Sequence, residues 1–227
     1  MGTTKQGDFR NRKIAEVEII DRILAGEKEL YEILLRRNNQ KLFRVVRSYI
    51  RDSAEIEDIM QNTYLKAFEK LTQFKRTSTY STWLIRIGIN ETLARLKEKG
   101  KIIDINGPSI AITKNTILEI PAGDQLNPEK RMIRNEAKQL LENAIDTLDV
   151  KYRTVYILRE LEEMSINEIS NCLNISVSNV KVRLHRAKNS LKERLYELTI
   201  NTEEVFGFGA HKCDNITDRT MEIIFRP

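Results

Sequence analysis

Residues Leu161–Leu195 read LEEMSINEISNCLNISVSNVKVRLHRAKNSLKERL, and this stretch decides the fold. Ser165 followed by Glu168 has the spacing of a capping box, so a helix is expected to begin at Ile166. Ile166, Ile169 and Leu173 give it one apolar face. Asn174 can take the left-handed conformation that ends a helix. Ser176 or Ser178 then caps a second helix. Val180, Leu184, Ala187, Leu191 and Leu195 form its core stripe. Two helices joined by so tight a turn are a helix-turn-helix.

The face of the second helix opposite that stripe is distinctive. Ser178, Val182, His185, Arg186 and Asn189 lie there, with Asn179 near the helix entry. Lys181 and Arg183 flank this face on either side. Small, apolar and basic groups of this kind suit a major groove, with the flanking cations reaching phosphates. The plainer reading is a basic solvated helix on a bundle.

Composition bounds the rest. A chain of 227 residues suggests one or two domains. The net charge of +5 suits a polyanionic partner without requiring one. No apolar run is long enough to span a membrane, and no apolar signal segment opens the chain. Two cysteines, Cys172 and Cys213, make no disulfide framework. Cys172 reads as a buried thiol. The expected location is cytoplasmic.

Outward from the helix-turn-helix, the chain reads as helices almost throughout. Residues 1–20 are a polar start. Asp21–Arg37 is helical with an interruption near Gly26, and Gln40–Arg51 is helical again. Asp52 and Glu55 are a second capping signature, opening a helix to about Leu71. Its core face is Ile56, Ile59, Met60, Tyr64, Ala67, Phe68 and Leu71. Asp58, Gln61, Asn62 and Leu65 point the other way. Leu65 is either an ordinary exposed leucine or the centre of a small docking patch.

The loop Thr72–Ser81 mixes Phe74 and Tyr80 with Lys75, Arg76, Thr79 and Ser81, just before Trp83. Rings beside cations and hydroxyls suit unstacked bases. The alternative is a polar loop pinned by two core aromatics. A helix over Thr82–Lys99 follows, with Arg86, Asn90 and Lys97 on a stripe beside Trp83. Lys101–Asn127 breaks the pattern with Gly and Pro and reads as a linker. Pro128–Leu148, through Met132, Ile133, Leu140, Leu141, Ile145 and Leu148, and then Val150–Leu161 resume helical spacing. In the tail, His211 and Cys213 are too few for a tetrahedral metal site, so no metal is expected.

There is no phosphate-binding glycine loop and no HExxH pair, and two histidines leave little for histidine-based catalysis. No cofactor and no enzymatic activity are expected. The signals are for binding.

Three segments, DIMQNTYLKAFEKL, FKRTSTYSTWLIRIGINETL and the helix-turn-helix, follow one another in an order that resembles a bacterial RNA polymerase sigma factor. The type is the extracytoplasmic-function (ECF) branch of the sigma-70 family. The resemblance covers about residues 20–100 and 130–196. It implies an all-α chain of two helical domains, residues 1–100 and 130–200, with a flexible linker at 101–129 and a tail of unknown role at 201–227. It implies a partner in core RNA polymerase, docked through Asp58, Gln61, Asn62 and Leu65, with Tyr64 in the core. It implies that Phe74, Lys75, Arg76, Thr79, Tyr80, Ser81, Trp83, Arg86, Asn90 and Lys97 hold the melted minus-ten strand. The second domain would read the minus-thirty-five duplex through Ser178, Asn179, Lys181, Val182, Arg183, His185 and Arg186. The family commonly has an anti-sigma partner, and no membrane insertion is implied.

The sequence departs from the family pattern in three places. Val182 stands where the family often has a small polar residue. Ser178-Asn179 replaces a Gly-Thr, and Thr77 and Ser78 stand where an acidic residue is usual. All three bear on promoter sequence rather than fold. The competing reading is a stand-alone helix-turn-helix regulator. A duplex-only regulator would need neither the docking helix nor the aromatic-basic loop.

Overall fold

The structure is a computed structural model that describes residues 14–100 and 128–199. Among these residues every regular element is helical. The first half holds α1 (Glu16–Leu24), α2 (Tyr31–Arg47), α3 (Ser53–Glu69) and α4 (Tyr80–Glu98). The second holds α5 (Pro128–Thr147), α6 (Val150–Tyr156), α7 (Ile166–Leu173) and α8 (Val177–Thr199). The expected tail, most of the expected linker, and His211 and Cys213 lie outside the described residues.

In the first half, α2, α3 and α4 pack on one another around Leu34, Leu42, Val45, Ile56, Ile85 and Ile89. The closest approach is at Gly88. A Cβ there would lie 2.6 Å from Leu42 Cδ1 and 3.5 Å from Thr63 Cγ2. Thr63 and Thr92 flank this crossing and are fully buried. Each donates its hydroxyl to the carbonyl four residues back, Thr63 to Ile59 and Thr92 to Gly88, both at 2.7 Å. Polar side chains thus sit in the core without an unmet donor.

A chain of phenols ties the outer layer together. Tyr80 donates to the Tyr31 hydroxyl (3.2 Å), Tyr31 to the Tyr64 carbonyl (2.8 Å), and Tyr64 to Asn39 Oδ1 (2.9 Å). Burial pushes Tyr31 up to about 12 and raises Tyr64 and Tyr80 as well.

Several boundaries differ from expectation. The chain turns at Gly26 (φ +116°), as its sequence suggests, but α2 then runs unbroken through Arg37–Gln40. Asn38 explains this: it is buried, and its amide donates to Leu34 O at 2.8 Å, inside the helix. Helix α2 also stops at Arg47, where the Ser48 hydroxyl returns to Val45 O at 2.6 Å. Asp52 caps α3 as expected, accepting from the Glu55 N–H. Helix α4 begins at Tyr80 rather than Thr82, and Thr79 caps it by accepting from the Thr82 N–H.

In the second half, Met132, Leu140 and Leu141 are exposed rather than core. Among the residues of α5 whose side chains are described, only Ala144 and Ile145, near its end, are buried, and α5 packs on α8. After α6 the helix widens into a π turn over Ile157–Leu161. The capping box at Ser165–Glu168 forms in both directions. Asn174 closes α7 in the left-handed conformation (φ 51°, ψ 47°). Ser176 caps α8, accepting from the Asn179 N–H at 3.2 Å. The two halves are in contact: α7 lies on α4, and the π turn lies on α2.

Gly88→Val should destabilise the chain by about 1–3 kcal/mol, because the added methyls meet Leu42 and Thr63 in a filled core. Urea unfolding followed by circular dichroism checks this. Burial raises the Tyr49 phenol to about 12, against the opposing effect of a bond to Thr154. A raised phenol favours the folded state below its unfolded value near 10, and that contribution is lost between about pH 10 and 12. Urea midpoints should therefore fall over this alkaline window, and Tyr49→Phe should make the fall shallower by about one proton.

Candidate nucleic-acid and docking surfaces

Helix α3 carries the first surface. Asp58, Gln61, Asn62 and Leu65 all lie exposed along one side, as the periodicity places them, while Tyr64 is buried. Leu65 is 56% exposed and stands on the lip of an apolar groove of about 600 Å³. Tyr31 and Leu35 of α2 and Met60, Tyr64 and Phe68 of α3 line it. The groove was not legible in the spacing of α3, because part of its wall comes from α2. An exposed leucine beside an apolar recess, bordered by Asp58 and Gln61, has the make-up of a helix-docking surface.

The second surface is the loop before α4. Phe74, Tyr80 and Trp83 form one aromatic cluster, with centroids 5.2 Å (Phe74–Trp83), 5.8 Å (Tyr80–Trp83) and 6.0 Å (Phe74–Tyr80) apart. Here the sequence expectation needs correcting. Tyr80 is 1% exposed, held by its ring neighbours and by Tyr31, and offers no face to a base. It pins the loop. Phe74 and Trp83 are half-buried, and Lys75 and Thr79 are exposed. Arg76 takes a positive φ (59°) and pairs with Asp21. Ser81 is half-buried at the start of α4.

Along α4, Arg86, Asn90 and Lys97 are exposed on the expected stripe. Their neighbours at the helix end are engaged by acid instead: Lys99 reaches Glu55 at 2.8 Å, and Arg95 lies 3.7 Å from the same carboxylate. Lys97 remains turned to solvent.

The third surface is the outer face of α8. Ser178, Lys181, Val182, His185 and Arg186 are exposed, with Val182 at 48%, and Asn179 is half-buried. Arg186 donates to the Tyr152 hydroxyl at 3.1 Å. His185 shares a hydrogen bond with Asn189 at 3.2 Å. Arg183 departs from expectation. It is 5% exposed, donates to Asn179 Oδ1 at 2.8 Å, and has the phenols of Tyr152 and Tyr49 as electrostatic neighbours. Burial lowers its pKa. Of these two, Tyr152 belongs to α6, and Tyr49, which follows α2, belongs to the other half of the chain.

Contacts between the halves are the feature the sequence reading missed. Arg47 grips Asp146 with two hydrogen bonds, 2.8 and 2.9 Å. Arg51 donates to the Asp146 carbonyl at 2.8 Å. Arg153 approaches the same carboxylate at 3.7 Å. Arg44 meets the buried Glu162 carboxyl at 3.1 Å. Burial opposes ionisation of Asp146, but Arg47, Arg51 and Arg153 together hold its carboxyl below the usual range. Ser48 and Thr154 share a hydrogen bond at 3.0 Å. Thr82 donates to Glu168 at 2.9 Å, so the capping-box acid of α7 also reaches α4. A signal existed: Arg44 and Arg47 share one face of α2, and Arg51 follows four residues on, just past the helix end.

Cys172 lies in this contact, its thiol 3.7 Å from the Thr82 carbonyl. Burial pushes it up to about 11, in keeping with the expected buried thiol. Among the described residues no group of side chains could hold a metal ion, and no helix is long and apolar enough to cross a membrane.

Comparison with known proteins matches both halves. The family described as Sigma-70 region 2 matches residues 34–102, and Sigma-70, region 4 matches residues 138–191. The ECF RNA polymerase sigma factor SigW of Bacillus subtilis is 27% identical over 179 residues, 79% of this chain and 96% of that protein. The RNA polymerase sigma-H factor of Pseudomonas aeruginosa is 27% identical over 186 residues, 80% and 94% of the two chains. Among solved structures, the Bartonella quintana sigma factor RpoE bound to the anti-sigma factor NepR superposes with a TM-score of 0.56. It is 22% identical, over 73% of this chain and 96% of that one, and supports the fold alone. An all-helical fold, two sigma-70 regions in order and relatives matched over nearly their whole length give one conclusion: this chain belongs to the sigma-70 family, as a factor of the ECF type.

Proposed function

We propose that this chain binds core RNA polymerase and directs it to specific promoters, reading and melting the minus-ten element and binding the minus-thirty-five element. The observation that carries this reading is the pairing of unlike surfaces on one chain. A helix-turn-helix alone would suit any duplex-binding regulator. Here it is accompanied by a docking stripe and groove on α3 and by an aromatic-basic loop leading into α4. A stand-alone regulator has no use for these two.

In the proposed division of labour, residues 1–100 form the polymerase and minus-ten unit. Asp58, Gln61, Asn62 and Leu65 dock on polymerase. Phe74, Lys75, Arg76, Thr79, Ser81 and Trp83, with Arg86, Asn90 and Lys97, face the melted strand. Tyr80 supports them from beneath. Residues 130–200 form the minus-thirty-five unit, with Ser178, Asn179, Val182, His185 and Arg186 toward bases and Lys181 toward phosphate. The proposal places the chain in the cytoplasm, working without a cofactor or chemistry of its own. It includes an anti-sigma protein as a further partner, as in the solved complex of the Bartonella factor.

Asp58→Ala and Leu65→Arg should each weaken co-elution with core polymerase, by about tenfold if each removes roughly 1.4 kcal/mol. Circular dichroism should stay unchanged, because neither side chain belongs to the core. Wild-type co-elution by both variants would remove the docking assignment.

Lys181→Ala should weaken binding to all duplexes alike and lower the salt slope by about one. Val182 is the sharper probe. Its methyls point outward beside Arg186, where a thymine methyl would pack. Val182→Ser should abolish discrimination between thymine and uracil at one upstream position. Promoter libraries with single uracil replacements measure this. A wild-type protein indifferent to every upstream methyl would show that Val182 touches no base.

A further inference from the structure

We propose that Tyr152 of α6 is a positioning residue for base recognition: its hydroxyl holds the Arg186 guanidinium in place and so helps set which base α8 prefers. The inference rests on the promoter-binding reading above and adds to it a residue from outside the helix-turn-helix.

An arginine standing alone on a helix surface is a poor reader of sequence. Its long side chain has many rotamers, and ordering them opposes pairing with any one base. Arg186 is exposed on the outer face of α8, one turn beyond Val182. It is nevertheless tethered, because its Nη1 donates to the Tyr152 hydroxyl at 3.1 Å. The planar guanidinium carries five N–H donors, so this one bond leaves those on Nη2 and Nε open. A guanine edge takes two, at O6 and N7. The bond to Tyr152 therefore fixes one corner of the fork and leaves a reading edge outward.

Tyr152 is built to hold it. It stands in the first turn of α6, where its N–H donates to the Asp149 carbonyl at 2.9 Å. The ring is half-buried against the core, and α6 packs on α8. Lys151 Nζ lies 5.2 Å from the ring centroid. A tyrosine places its hydroxyl through only two torsions, so a packed ring is a rigid anchor for a flexible partner.

The neutrality of the anchor matters as much as its rigidity. Further along α8, Lys188 is paired with Glu160 at 2.9 Å and Arg194 with Glu197 at 2.8 Å. A carboxylate partner offsets the positive charge that attracts a polyanion. Arg186 is held by a phenol instead. It is ordered while its charge stays available to DNA. The Tyr152 phenol is also an electrostatic neighbour of Arg183, three residues earlier on α8.

The test uses the full chain with core polymerase, on promoters selected by the wild-type protein from a randomised library. Arg186→Ala should flatten the preference at one upstream position, which marks the base that is read. Tyr152→Phe keeps the ring and removes only the oxygen. It should lower the preference at that same position about fivefold and leave the other positions unchanged. In the Arg186→Ala background it should add nothing, since the oxygen acts through that guanidinium. O-methyltyrosine in place of Tyr152 keeps the accepting oxygen and should retain the preference. Nitrogen relaxation of the Arg186 Nε–H, which needs no partner, should show a more mobile side chain in Tyr152→Phe at an unchanged urea midpoint. The inference is overturned if Tyr152→Phe leaves either the base preference or the mobility at its wild-type value. It is equally overturned if Tyr152→Phe acts alike with and without Arg186, or if O-methyltyrosine fails as phenylalanine does. A wild-type chain that selects no promoter with core polymerase overturns the function instead, and the relaxation measurement separates the two failures.

Discussion

Three helices meet at Gly88, and the closeness of that meeting sets where the other parts lie. Leu42 of α2 and Thr63 of α3 both press on the one residue of α4 that has no side chain. Because α4 is drawn in there, its opposite stripe is left outward, and Arg86, Asn90 and Lys97 stand on it. Because α3 is drawn in beside it, Asp58, Gln61 and Leu65 are turned to solvent. One steric constraint in the core thus presents two working surfaces on neighbouring helices.

Local features were legible in the sequence because their physics is local. The N-cap at Asp52, the capping box at Ser165–Glu168, the left-handed Asn174 and the turn at Gly26 each need only a few consecutive residues. The outward stripe of α3 followed from period alone. Tyr80 and Arg183 did not, and for one shared reason. Helical period says which residues share a face, but not what a distant segment lays over that face. Tyr80 is covered by Tyr31 and the loop aromatics, and Arg183 has among its electrostatic neighbours Tyr152 of α6 and Tyr49, more than a hundred positions earlier in the chain. The long α2 shows a related limit: the break expected between Arg37 and Gln40 lies inside one helix, where the buried Asn38 amide donates to Leu34 O.

Polar groups do two different jobs inside this protein. In the first half, Thr63, Thr92, Asn38 and the linked phenols are satisfied within their own half, and they brace it. Between the halves, the arginines around Asp146 outnumber the acid that receives them. A satisfied network rigidifies, whereas an over-charged one holds only while its geometry is intact.

The thiol of Cys172 acquires a use from its position. It faces the Thr82 carbonyl across that boundary, shielded from water and shifted well away from its reactive form. A thiol reagent can reach it only during the intervals when α7 has moved off α4. Labelling of Cys172 by a thiol reagent therefore reports whether α7 lies on α4.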